Sequence, residues 1–239
     1  TPTIIVTTSG TAVANLLPAT IEADLSMVPL IIITADRPKR LVNTGENQTI
    51  KQHDILKDFV RDSIHLEAYK IDSTDLLYQK LQKLINRANG LKGFSPPGPV
   101  HINVSFEEPL VDKISSYKPY IKIPRDDNII FDQLKIPQCK RPLIICGEAT
   151  NSLDLNKIIS LSEKLNCPIF ADALSWLRYY KEHKNIFSFY EHYIHKMKED
   201  PDYIIRFGKK PTSKTLNLYL NNYKDSTVLI SDHAGYNDD

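Results

Sequence analysis

One feature constrains this chain more than any other. Short runs of Ile, Val and Leu alternate with stretches that carry apolar residues at helical spacing. "TIIVTT" (Thr3–Thr8), "VPLIIITAD" (Val28–Asp36), "FVRDSIHL" (Phe59–Leu66) and "GPVHINVSF" (Gly98–Phe106) read as strands. Between them, Thr11–Leu25 and Ser73–Gly90 read as helices. The second of these is well marked. Ser73 is an N-cap, Asp75 lies in the first turn, Leu76, Leu77, Leu81, Leu84 and Ile85 form one stripe, and Gly90 is a stop. Strands that are apolar on both faces and separated by helices require parallel sheets covered on both sides. The strand beginning at Thr3 reads as a core strand, so the chain reads as a piece of a longer one.

From Glu107 to Arg141 the pattern dissolves. Prolines at 109, 119, 124 and 137, and again at 142, interrupt it, as a linker requires. It then resumes. "RPLIICGEA", "CPIFAD", "DYIIRFG" and "STVLISD" read as strands, and Leu153–Leu165, Ile186–Met197 and Ser213–Leu220 as helices. The expected fold is α/β, with two three-layer units and mainly parallel sheets. Their spans are 1–110, a linker over 111–140, and 141–239.

Composition excludes several classes of partner. Net charge is +1, which gives no electrostatic footprint for nucleic acid or a membrane surface. No apolar run approaches the ~18 residues of a membrane span. The three cysteines, Cys139, Cys146 and Cys167, share no metal-ligand spacing, and Cys146 reads as a small core residue. A reducing, cytoplasmic setting fits that usage.

Three stretches carry candidate chemistry. In "VTTSGTAVAN", Ser9, Gly10 and Thr11 stand where a strand hands over to a helix, at the carboxyl end where open α/β sheets bind ligands. Ser9 as a plain helix cap is the alternative. In "TADRPKRLVNTGENQTIKQHDI", Arg37 ends a strand and offers a planar fork for a carboxylate, against the alternative of a surface ion pair. In "RFGKKPTSKTLNLYL", Lys209, Lys210 and Lys214 converge near the Ser213 helix start, which suits an anion or, equally, a solvated basic loop. His192 and His195 have helical i,i+3 spacing, but no third metal ligand accompanies them.

Taken together, "TSGTAVAN", "PLIIITADRP", "TGENQTIKQ", "GPVHINVSFEEPL" and "RFGKKPTSK" resemble, in order, the landmarks of the MenD family. These are thiamine-diphosphate-dependent 2-succinyl-5-enolpyruvyl-6-hydroxy-3-cyclohexene-1-carboxylate synthases of menaquinone and phylloquinone biosynthesis. The resemblance implies the later part of a pyrimidine-binding domain followed by a Rossmann-like central domain. It implies decarboxylation of 2-oxoglutarate and addition of the resulting carbon nucleophile to isochorismate, with thiamine diphosphate and Mg²⁺ or Mn²⁺ as cofactors. It implies a homodimer or homotetramer. Ser9, Gly10 and Thr11 match the turn beside the cofactor's pyrimidine end. Arg37, Gln48 and Lys214 match substrate-binding positions. Thr215 stands where some members carry Arg. The family's catalytic Glu is expected upstream of Thr1, and its GDG…N diphosphate and metal motif does not occur between Thr1 and Asp239. A fragment holding this portion alone is expected to be inactive. Two other readings are an acetohydroxyacid synthase or 2-oxoacid decarboxylase type of enzyme, and a non-catalytic binding or assembly module.

Overall fold

The computed structural model describes residues 2–71, 73–90, 95–110, 135–148, 154–180 and 182–231. The chain divides into two units, Thr1–Ile129 and Ile130–Asp239.

Among the described residues, the first unit is built on four parallel strands. β1 is Thr3–Thr7, β2 Leu30–Asp36, β3 Ser63–Glu67 and β4 Pro99–Ser105, in the order β1-β2-β4-β3. The β-branched run of β2 buries both faces, because successive side chains point to opposite sides. Leu30 and Ile32 join Val13, Ala23 and Leu56 in one core layer. Ile31 joins Leu84, Ala88, Val100 and Ile102 in the other. Ile32 is fully buried, which stabilises the fold by roughly 1.5–3 kcal/mol relative to exposure. β1 departs from expectation. It is an edge strand that leaves Ile4 60% and Val6 72% exposed, rather than a core strand.

The expected helix over Thr11–Leu25 is two helices, α1 (Thr11–Ala14) and α2 (Leu17–Leu25). Pro18 stands in the first turn of α2, where its missing N–H is tolerated, but it cannot continue a helix from Ala14. The third helix, α3 (Thr74–Asn89), begins where Ser73 Oγ accepts from the Leu76 N–H at 3.3 Å, and ends at Gly90 with φ +68°. Of its expected stripe, Leu84 is buried, Leu77, Leu81 and Ile85 are partly buried, and Leu76 is 52% exposed. Leu76 sits in the first turn, beyond the edge of the layer that Leu84 and Ala88 fill. Arg61 fastens the start of β4. Its guanidinium pairs with the Asp24 carboxylate and donates to the carbonyls of Asp24, Pro96 and Pro97. A Cβ on Gly98 would fall 2.6 Å from the Arg61 guanidinium, so the strand enters past a residue without one.

The second unit carries β5 (Pro142–Cys146), β6 (Ile169–Ala171), β7 (Ile186–Phe187), β8 (Tyr203–Phe207) and β9 (Thr227–Ile230). They form a parallel sheet in the order β7-β6-β5-β8-β9. Ile144 and Cys146 face the α4 side (Leu155–Leu165) with Ile158 and Ile159. Leu143 and Ile145 face the α6 side (Lys214–Asn221) with Leu216 and Leu220. Cys146 is 2% exposed, and burial pushes its thiol pKa up, so it is an inert core residue. α4 starts after Asp154, whose carboxylate accepts from the N–H groups of Asn156 and Lys157; Leu153 lies outside the described residues.

The expected helix over Ile186–Met197 does not form. That segment is β7 followed by two single-turn 3₁₀ helices, Tyr190–His192 and Ile194–Lys196. Tyr190 and Ile194 are both buried, so core contact at i,i+4 spacing imitates a helical stripe. The short α5 (Leu177–Tyr180) carries no such signal. Most of the expected linker, 111–134, and the end of the chain beyond Ser231 lie outside the described residues.

Candidate functional site at the strand ends of the first unit

Parallel register brings four polar residues into one row near the carboxyl ends of the strands. Thr7 pairs with Thr34, Thr34 with Asn103, and Asn103 with His65. Thr34, His101 and Asn103 are all buried. A buried polar group must find partners, and here each finds another. Thr34 Oγ1 donates to Asn103 Oδ1 at 2.7 Å and lies 2.8 Å from His101 Nε2. Thr34 has only one hydroxyl proton, and Asn103 takes it. His101 must therefore donate from Nε2, which fixes its tautomer. Burial above all, then the neighbouring His65, lowers the His101 pKa to about 4, so the ring is neutral near pH 7.

The centre of this network is Gln52, 1% exposed. Its Nε2 donates to Ala35 O and Asn103 Oδ1, both at 2.7 Å, and its Oε1 accepts from the Gly10 N–H at 2.9 Å. Because the Gly10 N–H can only donate, the orientation of the Gln52 amide is also fixed. Asn103 Nδ2 then donates to Asp36 Oδ2 at 2.7 Å, and Asp36 Oδ1 accepts from the Arg37 N–H at 2.8 Å. A continuous hydrogen-bonded path thus runs from the Ser9-Gly10 turn to the backbone of Arg37. Gln52 lies within the "TGENQTIKQ" stretch, yet nothing in its spacing marks it out, because its partners lie as far as 51 residues away.

The structure brings Ser9, Gly10 and Gln48 together. Ser9 Oγ donates to Gln48 O at 3.0 Å, and Gln48 Nε2 donates to Thr8 Oγ1 at 2.8 Å and Ser9 O at 3.2 Å. Gly10 has φ +82°, and a Cβ there would lie 3.1 Å from both Gln48 Cγ and Gln48 O. This close approach is what demands glycine. Ser9 does not cap α1; its hydroxyl and the Gly10 N–H are engaged by Gln48 O and Gln52 Oε1 of the facing loop. Thr11 and Gln48 are exposed.

Arg37 is half-buried. Its Nε is fully buried without a hydrogen-bond partner, and its side chain makes no ion pair among the described residues. The ordinary surface pairing belongs instead to Arg40, which holds Glu107 through Nε at 3.3 Å and a terminal nitrogen at 2.8 Å. A buried guanidinium nitrogen left unpaired at a strand end suits an incoming anion.

In the second unit, Lys214 is the exposed first residue of α6, and Ser213 caps that helix by accepting from the Leu216 N–H at 3.1 Å. The expected convergence of lysines at this cap is not what forms. Lys209 pairs with Glu148 at 3.2 Å, Lys210 lines a surface pocket with Arg206 and Asn217, and the Ser213 hydroxyl donates to Glu191. Behind the cap lies Asp172, 1% exposed. It accepts from Thr212 N at 2.9 Å, Thr212 Oγ1 at 2.7 Å and Tyr190 OH at 2.7 Å. Burial pushes the Asp172 carboxyl upward, but the bonds from Thr212, Tyr190 and the Ala173 backbone outweigh it and hold the pKa below the ordinary carboxylate value. His192 and His195 are exposed residues of the two 3₁₀ turns and join no metal-ligating group among the described residues.

Residues 1–55 match the family model described as thiamine pyrophosphate enzyme, N-terminal TPP binding domain. The curated relatives include the 2-succinyl-5-enolpyruvyl-6-hydroxy-3-cyclohexene-1-carboxylate synthases of Bacillus velezensis, 35% identical over 98% of this chain, and Bacillus pumilus, 33% identical over 98%. That of the archaeon Natronomonas pharaonis is 32% identical, again over 98%. The chain spans 43% of the length of the two Bacillus proteins and 45% of the third. Over 98% of its length the chain is thus similar to a portion of the 2-succinyl-5-enolpyruvyl-6-hydroxy-3-cyclohexene-1-carboxylate synthases, and its first 55 residues match a domain of the thiamine pyrophosphate enzymes.

Proposed function

We propose that this chain is the part of a thiamine-diphosphate-dependent carboligase that shapes one wall of the cofactor site and supplies cations and amides to two anionic substrates, 2-oxoglutarate and isochorismate. In this reading 1–110 is the later part of the pyrimidine-binding domain, 111–140 a linker and 141–239 a central domain. Magnesium or manganese accompanies the diphosphate, and the working enzyme is a cytoplasmic homo-oligomer. Thiamine diphosphate, when bound, supplies the carbon nucleophile and the electron sink for decarboxylating a 2-oxoacid.

The residues present fit such a group in a particular way. The donors of Ser9 and Gly10 are engaged internally, so these residues hold the turn's shape rather than grip the cofactor. Thr11 and the Oε1 of Gln48 remain for a ligand. Arg37 is the substrate cation, its direction set by the end of β2 and by Pro38, which favours extended backbone before it. Lys214 is the second cation, presented by a capped helix start whose loop Asp172 holds in place.

The observation that carries this reading is the buried, unpaired Nε of Arg37 at the end of the path that begins at Gly10. The experiment is Arg37→Lys in the longer enzyme that contains this chain. Charge is kept and the fork geometry lost. Use of isochorismate or 2-oxoglutarate should fall by about 10–100-fold, the worth of a charged hydrogen bond of roughly 1.5–3 kcal/mol. Unchanged kinetic constants for both substrates would remove Arg37 from the site.

A further inference from the structure

On the flank of this network, the loop that carries Gln52 continues into His53 and Asp54, which lie against His65 on the edge strand β3. One ligand atom from each of the three falls within 4.8 Å of the others. His53 Nδ1 is 2.8 Å from Asp54 Oδ2, His65 Nε2 is 3.4 Å from Asp54 Oδ1, and the two imidazole rings stack with centroids 3.5 Å apart. Both ring nitrogens of His65 are buried, and among the described residues neither makes a well-formed hydrogen bond, Nε2 having only the 3.4 Å approach of Asp54 Oδ1. Such nitrogens are costly to leave unmatched. The only carboxylate drawn to His65 at salt-bridge distance among the described residues is Asp54, which it shares with His53.

We propose that His53, Asp54 and His65 form a site for a divalent transition-metal ion of the zinc class, which clips the Gln48–Asp54 loop to the edge strand β3. Two imidazoles and one carboxylate are a donor set that zinc accepts, with a fourth position for water. Around a tetrahedral ion with bonds of about 2.0–2.1 Å, ligand atoms stand roughly 3.3 Å apart. The 2.8 Å and 3.4 Å spacings lie on either side of that value but run to different oxygens of Asp54, so the exposed carboxylate must turn one oxygen toward both rings. The stacked imidazoles, 21° from parallel, must also rotate apart so that both in-plane lone pairs meet the ion, and His53, with a side chain 65% exposed, is free to turn. The ion would take up an unmatched His65 nitrogen. It would also tie down the residue directly after Gln52, whose amide orders the Gly10 turn.

The test is metal titration of this chain after chelator treatment, with Zn²⁺ competed against a chromophoric chelator and Co²⁺ as a spectroscopic probe. The expected result is one equivalent bound, Co²⁺ bands of nitrogen and oxygen ligation without thiolate charge transfer, and a melting temperature that rises with Zn²⁺. His53→Ala removes an exposed side chain and should leave the metal-free protein folded. It should weaken binding by at least the roughly 10–100-fold that even an outer partner of a metal ligand is worth. Asp54→Asn should do the same. The double variant His192→Ala/His195→Ala should bind as the parent does. The proposal is overturned if no stoichiometric binding occurs, if binding survives both His53→Ala and Asp54→Asn, or if it follows His192 and His195 instead.

Discussion

Each unit of this molecule ends a central strand in a carboxylate, and the two carboxylates are used differently. Asp36 ends β2 and Asp172 directly follows β6. Asp172 is saturated. It receives two bonds from Thr212 and one from Tyr190, three elements of chain locked by one side chain. Asp36 receives Asn103 on one oxygen and only a backbone N–H on the other, while the buried Nε of the very next residue, Arg37, finds no partner among the described residues. An Asp–Arg neighbour pair that declines to close on itself is an arrangement that holds charge ready. A closed clasp such as Asp172 offers stability and nothing to a ligand. The difference teaches where to look for binding: at the strand end whose hydrogen bonds stop short.

The comparison breaks most visibly at Gln52. Gln52→Leu keeps approximate size but strands the Gly10 N–H and the Ala35 carbonyl and takes one donor from Asn103. Each orphaned buried group costs about 1–3 kcal/mol, so a loss of about 3 kcal/mol is expected in urea unfolding of the first unit. A loss below about 0.5 kcal/mol, the level of an ordinary surface change, would mean that Gln52 is not the keystone of the network.

Asp172→Asn tests the clasp. Asn offers one acceptor oxygen where the carboxylate serves three donors, and about 2 kcal/mol should be lost. The sign of the pH dependence follows from the lowered pKa. A carboxyl held below its unfolded value of about 3.9 contributes stability above that pH and loses it as pH falls through the folded value. The gap between the parent and Asp172→Asn should therefore be full at neutral pH and shrink below about pH 4. Denaturant melts at several pH values decide it. A gap that widened in acid would show that Asp172 is not ionised in the fold.

Much of this was legible before any coordinates. The runs "LIIIT" and "LIIC" can only be buried strands, and Ser73 and Gly90 mark their helix because capping and positive φ are local chemistry. The break at Pro18 is local chemistry too, yet the apolar spacing of Thr11–Leu25 reads as one unbroken helix and hides it. What the sequence hides is tertiary. Tyr190 and Ile194 share a core at helical spacing without a helix, and Lys209 looks free until Glu148 meets it. Ser9, Gly10, Thr11 and Arg37 can be picked out from their strand ends, and Gln48 only through the family resemblance. Gln52 cannot, since its importance lies in Asn103 and Gly10, brought to it only by the closing of the sheet.

Gly10→Ala probes the turn that the network serves. Its φ of +82° with ψ of −145° lies in a region essentially confined to glycine, and with the 3.1 Å approach of Gln48 a side chain there should cost about 1–3 kcal/mol. Thermal melts read the loss. A neutral result would mean that the Gln48 loop yields to the new methyl group, and that the turn is not held rigidly against it.

The smallest stability effect belongs to Arg37, and its smallness is the point. Nothing among the described residues pairs with its side chain, so the folded state gains no ion pair from it. Removing a buried charged nitrogen that lacks a partner relieves a desolvation penalty. Arg37→Met, which keeps length and apolar stem, should therefore leave the melting transition within about 0.5 kcal/mol of the parent, or raise it slightly. An arginine serving the fold behaves in the opposite way. Breaking a buried pair by deleting one partner costs about 3–5 kcal/mol, as Arg61 beside Asp24 should show if it is changed in parallel. A large loss on Arg37→Met would place Arg37 with Arg61 among the structural fastenings and leave the strand end of β2 without its unpaired cation. A neutral or stabilising result would mark Arg37 as a side chain kept for something other than folding.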